Sequence, residues 1–421
     1  MQAVPRPAHH GPGERLQARY DRFKALGLAL DMSRGKPCQA QLELSAPMLS
    51  ILAADDHQAV DGMDCRNYGG LEGLPEARGL FAQVLGVDAS EVVVGGNSSL
   101  ELMYETLVVA FLQGVPGGDR PWCRGPVRFL CPTPGYDRHF AICEHLRIDM
   151  IPVDMLEDGP DMDRVEGLVA DDDRIKGIWC VPRFSNPTGA TVSDAVVRRL
   201  AAMRTRARDF RIFWDDAYAV HPLEGTPPRP ASILSACRAA GNPDRVYLFG
   251  STSKVTLAGA GVAFMGSSEE NLKHLKRSLS VRTIGPDKLN QLRHTRFLQS
   301  MSGIEAHMRR HAAILKPKFD AVHRVLEAEL GGKGLATWTR PAGGYFISLN
   351  TLPGCVSEVV AMAAAAGVKL TPAGSTYPYG RDPLDRNIRI APSFPAVKEL
   401  ERATELLSIC IQEVSRRKGL R

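Results

Sequence analysis

The chain has 421 residues, 44% of them hydrophobic and 24% charged, with a formal net charge of +5. This length allows two domains and a large core. The basic residues are spread along the sequence, which argues against nucleic-acid binding, and no apolar run reaches the roughly 20 residues that span a bilayer. Nine scattered cysteines, none in a Cys-x-x-Cys pair, indicate reduced thiols in a cytoplasmic protein rather than a disulfide scaffold or a zinc site.

The first stretch of the chain predicts a tail, a helix and a turn-rich connector. Residues 1–13 contain several prolines and glycines and lack the apolar core of a signal peptide, so they predict a flexible tail. Helical spacing follows at residues 14–28. The stretch 30–37 then places Arg34 beside Gly35, which could bind a carboxylate or belong to a solvated connector. The local sequence alone favours the connector.

A glycine-rich loop and a strand–helix junction come next. The loop, residues 66–75, contains one tyrosine, Tyr68. A strand at 91–96 leads into a helix at 100–112 through Gly96, Asn97, Ser98 and Ser99. Backbone N–H groups at the start of a helix favour a bound phosphate. Asn and Ser are also common helix caps, so the junction fits an anion site and a plain capped helix equally well.

Apolar, β-branched and aromatic runs alternate with helical stretches as far as residue 265. This alternation predicts an α/β sandwich around a mostly parallel, seven-stranded sheet. The predicted strands are 91–96, 127–131, 148–153, 177–181, 211–214, 246–249 and 261–265.

Several residues whose side chains could bind a ligand or take part in catalysis fall just after these strands. Tyr136 could stack on a flat ring, and Asn186 could donate to a ligand oxygen. Asp215 could face a pyridine nitrogen, with the phenol of Tyr218 three residues on. Each residue also fits ordinary turn chemistry or packing. All of them fall at the sheet edge where open α/β folds bind ligands, which the turn explanation does not predict.

Lys254 follows the strand 246–249 and three hydroxyl residues, among them Ser251 and Ser253. Such hydroxyls can bond an anion such as phosphate. A lysine shielded from water loses its proton more easily and can attack a carbonyl to form a Schiff base. This chemistry suits pyridoxal phosphate (PLP), which has an aldehyde and a phosphate on one ring. A single Ser-x-Ser-Lys is more often a solvated surface lysine, so the interpretation depends on the other residues.

The pattern changes at about residue 304, where a long helix is followed by short strands packed by helices. We expect a large PLP-binding domain at 61–303 and a smaller α+β domain from 14–60 and 304–421. Arg389 lies in the middle of a short strand. If buried, it needs a partner, and this could be a substrate carboxylate or an internal Asp or Glu.

Six motifs, taken in order, resemble a fold-type I PLP-dependent enzyme of the class I aminotransferase family, over about residues 30–411. Finer details resemble an atypical bacterial aspartate aminotransferase group often labelled MocR-like. The motifs are Ser-Arg-Gly-Lys-Pro37, Gly-Gly-Asn-Ser-Ser99, Ser-Asn-Pro-Thr-Gly189, Asp-Asp-Ala-Tyr218, Ser-Thr-Ser-Lys254 and Asn-Ile-Arg-Ile-Ala-Pro392.

The resemblance implies a role for each matching residue around the cofactor ring. Lys254 would hold PLP and then act as general acid and base in the proton shift. Asp215 would pair with the pyridinium nitrogen. Tyr218 and Asn186 would bind the ring hydroxyl oxygen, and Tyr136 would stack on the ring. The phosphate cup would consist of Gly96, Asn97, Ser98, Ser99, Ser251 and Ser253.

The resemblance also implies substrate and subunit contacts. Arg389 would grip the substrate α-carboxylate, with Gly35, Asn186 and Arg34 beside it. Tyr68 matches a tyrosine that reaches the phosphate of the neighbouring subunit, which implies a homodimer.

Two features depart from the family pattern or leave it open. Most class I aminotransferases have a phosphate-binding arginine eight residues after the lysine, where this chain has Val262. A second cation would also be needed for the distal carboxylate of aspartate or glutamate. The candidates for that role are Arg34, Lys36, Lys288 and Arg293.

The sequence thus predicts a cytoplasmic, homodimeric PLP-dependent aminotransferase, with L-aspartate and 2-oxoglutarate as the expected substrates from resemblance. One alternative is another PLP reaction on the same fold, such as a β-lyase. A second is a ligand sensor, because MocR-type regulators join this fold to a DNA-binding domain. Only about thirty residues precede the matched region, which argues against the sensor.

Overall fold

The computed structural model of the protein describes residues 12–226 and 229–420. Residues 1–11 of the predicted tail, 1–13, lie outside the described residues. The first helix begins at Pro12, within the last two positions of that prediction. The helices are α1 (Pro12–Ala25), α2 (Gln39–Glu43), α3 (Pro75–Leu85), α4 (Ser99–Gln113), α5 (Asp137–His145), α6 (Met162–Asp171), α7 (Asp194–Ala202), α8 (Ile233–Ala239), α9 (Glu269–Arg282), α10 (Lys288–Leu298), α11 (Met301–Leu330), α12 (Val356–Ala365) and α13 (Val397–Arg417).

The strands fall into one large sheet and two small ones. They are β1 (Leu30–Asp31), β2 (Val92–Val94), β3 (Arg128–Thr133), β4 (Asp149–Leu156), β5 (Gly159–Pro160), β6 (Ile175–Cys180), β7 (Arg211–Asp215), β8 (Val246–Ser251), β9 (Ala263–Gly266), β10 (Ala336–Trp338), β11 (Ile347–Thr351), β12 (Val368–Lys369) and β13 (Asn387–Ile390).

The large sheet has the order β2-β9-β8-β7-β6-β3-β4-β5. Strands β8, β7, β6, β3 and β4 are parallel neighbours, and β9 is antiparallel to both β2 and β8. All seven predicted strands are present. The eighth strand, β5, pairs antiparallel with β4 at the edge of the sheet. It has two residues, which are too few to show the alternating pattern of a strand in the sequence.

Successive residues of the central strands face opposite sides of this sheet, as the period of two requires. On β7, for example, Phe213 joins one buried cluster with α4 and α9, whereas Trp214 joins another with α3, α7 and α8. Buried apolar side chains on both faces explain why these strands appear as nearly continuous apolar runs.

A second core lies around the antiparallel sheet β10-β11-β13 and the helices α11, α12 and α13. Tyr20 of α1 and Met32 belong to this cluster, and β1 pairs with β12 in parallel. Ala59 and Ile304, by contrast, belong to a cluster on the large sheet. The division into domains at residues 60 and 303 stays a prediction.

Every helix in the described ranges is too short or too polar to cross a membrane. The feature that matters most for function is the edge of the large sheet where the parallel strands end. Strands β3, β6, β7 and β8 all run towards this edge, so the loops that follow them meet there.

Candidate active site

A cavity of about 400 Å³ opens at the carboxyl ends of the parallel strands. It brings together eight of the residues predicted for the site, although they are spread over more than 350 positions of the chain. These residues are Arg34, Gly35, Tyr136, Asn186, Asp215, Tyr218, Lys254 and Arg389. Their shared location is the feature that the turn explanation for each one did not predict.

Lys254 lies half-buried in this cavity, three residues after the end of β8. Its Nζ is 5.0 Å from the centre of the Tyr218 ring. Burial lowers the pKa of the lysine amine, and the negative charge of Asp215 partly opposes that effect. A lysine in this position is closer to the neutral, nucleophilic form than a solvated one.

Buried polar side chains hold the main chain at Lys254 in place through its carbonyl oxygen. Its carbonyl oxygen is 3.2 Å from His221 Nε2 and accepts a hydrogen bond of 3.4 Å from the Tyr345 hydroxyl. Tyr345 in turn accepts from Gln41 Nε2 of α2 at 2.9 Å, and Gln41 continues to His311 of α11. No local sequence pattern indicates these contacts, because the residues that make them lie far apart in the chain.

Asp215 ends β7 and is buried, with 2% of its surface exposed. Its Oδ2 is 3.0 Å from His139 Nε2, and the His139 ring stacks on Trp179 at 4.2 Å between centroids. The other oxygen, Oδ1, is buried and has no hydrogen-bond partner in the described part of the chain. A buried carboxylate oxygen without a partner is costly, which indicates that a ligand donor completes it.

His139 is a site residue that the sequence reasoning missed. It lies on α5, one turn after Tyr136, and the two rings make a T-shaped contact with their centroids 4.9 Å apart. The spacing of three residues at a helix start could have indicated this, because residues i and i+3 share a helix face.

Two phenols line the cavity beside these groups. Burial, then the charge of Asp215, raises the pKa of the Tyr136 hydroxyl. Burial is also the main cause of a raised pKa at Tyr218, followed by the nearby Tyr136 and Asp215. Both hydroxyls therefore stay protonated at neutral pH and are available as hydrogen-bond donors.

Arg389 lies on β13 and is buried, with 7% of its side chain exposed. Its Nη1 donates to Asp137 Oδ1 at 2.7 Å and to Asn186 Oδ1 at 3.3 Å. The internal acidic partner that the sequence left open is therefore present. The guanidinium also lies over the Phe346 ring at 4.9 Å, and that ring packs against Gly35.

The predicted phosphate-cup residues lie next to one another, outside the lining of the cavity. Ser251 Oγ donates to Ser253 Oγ at 3.1 Å, and Ser253 Oγ reaches the Asn97 carbonyl oxygen at 3.4 Å. The Gly96 carbonyl oxygen accepts from the Ala263 N–H on β9. Ser98 precedes α4 without capping it, and Ser99 is the first residue of that helix.

The position of the missing arginine is apolar. Val262 is buried, and its N–H donates to Thr252 Oγ1 at 2.8 Å. Beside the cup, Glu101 Oε2 lies 3.1 Å from where a Cβ on Gly96 would be, and Glu101 Oε1 is paired with Arg282 Nη1 at 3.3 Å. Arg282 is thus a cation that reaches the cup region through Glu101.

Of the four cations considered for a distal carboxylate, Arg34 alone lines the cavity in the described structure. Lys36 lies over the Phe394 ring, and Lys288 donates to the Gly69 carbonyl oxygen. The cavity also has two rim cations that the sequence reasoning missed, Arg138 and Lys369. Arg138 follows Tyr136 by two residues, whereas Lys369 reaches the site only through the pairing of β12 with β1.

A family model described as aspartate amino-transferase matches residues 10–421. The chain belongs to the aspartate aminotransferase family. An aspartate aminotransferase of Corynebacterium glutamicum is 47% identical over 399 residues, which are 94% of this chain and 92% of that protein. A Mycolicibacterium smegmatis protein with the provisional name of an aminotransferase is 49% identical over 397 residues, 94% of this chain and 93% of the relative.

A solved structure agrees with the sequence matches. The crystal structure of an aspartate transaminase from Corynebacterium glutamicum superposes with a TM-score of 0.94 at 46% identity, and the match covers 96% of both chains. The predicted fold type I is confirmed, and the protein is an aminotransferase.

Proposed function

We propose that this aminotransferase uses PLP to move an amino group between L-aspartate and 2-oxoglutarate. The observation that carries the proposal is the unpartnered Oδ1 of buried Asp215, in the same cavity as the half-buried amine of Lys254. A protonated ring nitrogen and an aldehyde on one molecule would satisfy both groups. The C. glutamicum relative, by its name, supports aspartate as the amino donor.

The residues present fit PLP at each of its polar groups. Lys254 would hold the aldehyde carbon, and Asp215 would hold the ring nitrogen. The Asn186 amide oxygen accepts from Arg389, which leaves the amide N–H groups free for a ring oxygen, together with the Tyr218 hydroxyl. Tyr136 supplies an aromatic face. The phosphate would accept hydrogen bonds from the hydroxyls and N–H groups of the cup residues, which are Gly96, Asn97, Ser98, Ser99, Ser251 and Ser253.

Bound PLP would supply an electron sink for the charge left when a substrate loses its α-proton. The chain's own groups would do the rest. The Lys254 amine, with its lowered pKa, takes and returns that proton. The Asp215 carboxylate keeps a proton on the ring nitrogen, and Arg389 holds the substrate α-carboxylate in place.

A dicarboxylic substrate fits the charge of the cavity rim. Arg34, Arg138 and Lys369 line the cavity and make no ion pair with a described residue. Aspartate and 2-oxoglutarate each have a second carboxylate that could pair with such cations, whereas an apolar substrate would leave them unused.

We also propose a cytoplasmic homodimer in which Tyr68 reaches the phosphate of the partner subunit. Tyr68 is 79% exposed, and the neighbouring segment leaves Val281 and Ile284 exposed as well. The backbone at Gly69 packs tightly against Gly285, so these exposed residues belong to one surface region. Sedimentation equilibrium tests the dimer, and Tyr68→Ala should weaken PLP retention on dialysis.

The nine cysteines, all free thiols, agree with a cytoplasmic location.

The test of the reaction is an absorbance spectrum of the PLP-loaded protein before and after L-aspartate, without an acceptor. We expect the band of lysine-bound PLP to be replaced by the band of the pyridoxamine form and to return with 2-oxoglutarate. In a separate assay with an amino acid that has a leaving group on Cβ, pyruvate release without any acceptor would identify a β-lyase instead. The absence of a band for lysine-bound PLP would show that Lys254 does not have the proposed role.

A further inference from the structure

The guanidinium of Arg389 makes hydrogen bonds through only one of its nitrogens to the residues that the structure describes. Nη1 is bonded to Asp137 and Asn186, whereas Nε is buried and has no hydrogen-bond partner in residues 12–226 and 229–420. A guanidinium presents two donor edges to a carboxylate, and one of them consists of Nε and Nη2. The described contacts leave that edge for a ligand.

Asp137 is the acidic partner in this arrangement. It is the first residue of α5, where the helix dipole favours a negative charge, and 32% of its side chain is exposed towards the cavity. Its ion pair with Arg389 joins α5, which follows a strand of the large sheet, to β13 of the small sheet. The two residues are 252 positions apart in the chain.

We propose that Asp137 is a positioning residue that turns Arg389 so that its Nε–Nη2 edge faces the substrate α-carboxylate. This inference rests on the proposed function, because it takes that carboxylate as the ligand of Arg389. The opposite role would be competition, in which Asp137 occupies the guanidinium until a substrate displaces it. The contacts favour positioning, because Asp137 bonds Nη1 and leaves Nε without a partner.

The experiment compares Asp137→Asn with Asp137→Ala. The probe is succinate, a dicarboxylate without an amino group, and its dissociation constant from the PLP-loaded protein is measured by calorimetry. We expect Asp137→Ala to raise this constant about tenfold or more, because the guanidinium loses its orientation. Asp137→Asn should raise it less than about threefold, because the amide oxygen still accepts from Nη1.

A matched control separates orientation from helix stability. Asp194 is the first residue of α7, as Asp137 is of α5, and it lies outside the cavity lining. Asp194→Ala should leave the succinate dissociation constant unchanged. Asp137→Ala is also introduced into an Arg389→Lys variant. There it should change the logarithm of the succinate dissociation constant by less than about a third of the change seen in the protein with Arg389, because Asp137 acts through the arginine.

Three results would overturn the inference. Tighter succinate binding in either variant would establish competition, equal weakening in both variants would mean that charge rather than orientation matters, and no change would remove the role. The aspartate spectrum of the unmodified protein is recorded first. If it fails, the proposed function falls; if it succeeds and the variants disagree, only the role of Asp137 falls.

Discussion

At the scale of single residues, two adjacent aspartates have different environments. Asp215 contacts His139, and its Oδ1 has no hydrogen-bond partner among the residues that the structure describes. Asp216 accepts hydrogen bonds from Nε and Nη2 of Arg183. The alternating directions of side chains at a strand end separate the two carboxylates. Of the two, only Asp215 lines the cavity.

Lys254→Ala should lower the rate of the aspartate half-reaction about a thousandfold or more, because the variant lacks both the covalent anchor and the proton carrier. The fold should persist, because the backbone contacts of Lys254 to His221 and Tyr345 do not involve its side chain. Stopped-flow absorbance measures the rate, and far-ultraviolet circular dichroism checks the fold. Transamination at the unmodified rate would disprove the assignment.

Asp215→Ala should slow the proton-transfer step by about a hundredfold or more, because the ring nitrogen loses the charge that keeps it protonated. The half-reaction rate, measured with saturating L-aspartate, reports this step. His139→Asn is the matched milder change, and it should cost less because Asp215 keeps its charge. If Asp215→Ala retains full activity, another carboxylate holds the ring.

At the scale of elements, the Arg183–Asp216 pair connects the loop after β6 to the end of β7. Both side chains are buried, with 8% and 6% exposed. Asp216→Ala should lower the free energy of unfolding by about 3–5 kcal/mol, because it leaves a buried arginine without its partner. Urea denaturation measures this loss. A simultaneous replacement of both residues by apolar ones should recover much of it, and a loss below about 1 kcal/mol would contradict the prediction.

The elements also explain which parts of the site the sequence could predict. Tyr136, Asn186, Asp215 and Lys254 could be found because each follows a strong strand pattern, and parallel strands bring their ends to one edge. His139 and Asp137 were missed in their roles. Both depend on contacts with strands distant in sequence. The helix period of α5 places His139 beside Tyr136, but it does not show that His139 reaches Asp215 or that Asp137 reaches Arg389.

The fold itself was largely predictable, because the central strands and long helices have clear periods. The exceptions are short. The two-residue strands β1, β5 and β12 are too brief for a pattern, and they exist because a neighbouring strand supplies the hydrogen bonds. The position of Lys369 beside the cavity follows from one of them, so it too was beyond sequence reasoning.

At the scale of the whole molecule, several histidines are buried in neutral form. Burial is the main cause of lowered pKa values at His221 and His311, to about 3, and at His294, to about 4. In the unfolded chain these groups have an ordinary pKa of about 6.5. As the pH falls below that value, the unfolded chain gains protons that the folded protein does not take up, so stability decreases.

Each of these histidines should cost about 1.2 kcal/mol of stability at about pH 5.5 relative to neutral pH. The urea midpoint should therefore fall steeply between neutral pH and about pH 5.5. His311→Gln should reduce this dependence, because glutamine does not titrate, whereas His145→Gln at an exposed position should not change it. A midpoint independent of pH over this range would contradict the buried neutral histidines.

The pairing of β1 with β12 has a consequence for biosynthesis. Leu30 lies in register with Val368, and Tyr20 packs in the same cluster as Val414. On a ribosome that adds about 5–20 residues per second, the early segment must wait tens of seconds for its partners. During that time Tyr20 and Met32 have no core to enter, so the nascent chain exposes apolar surface that a chaperone could shield until α13 emerges.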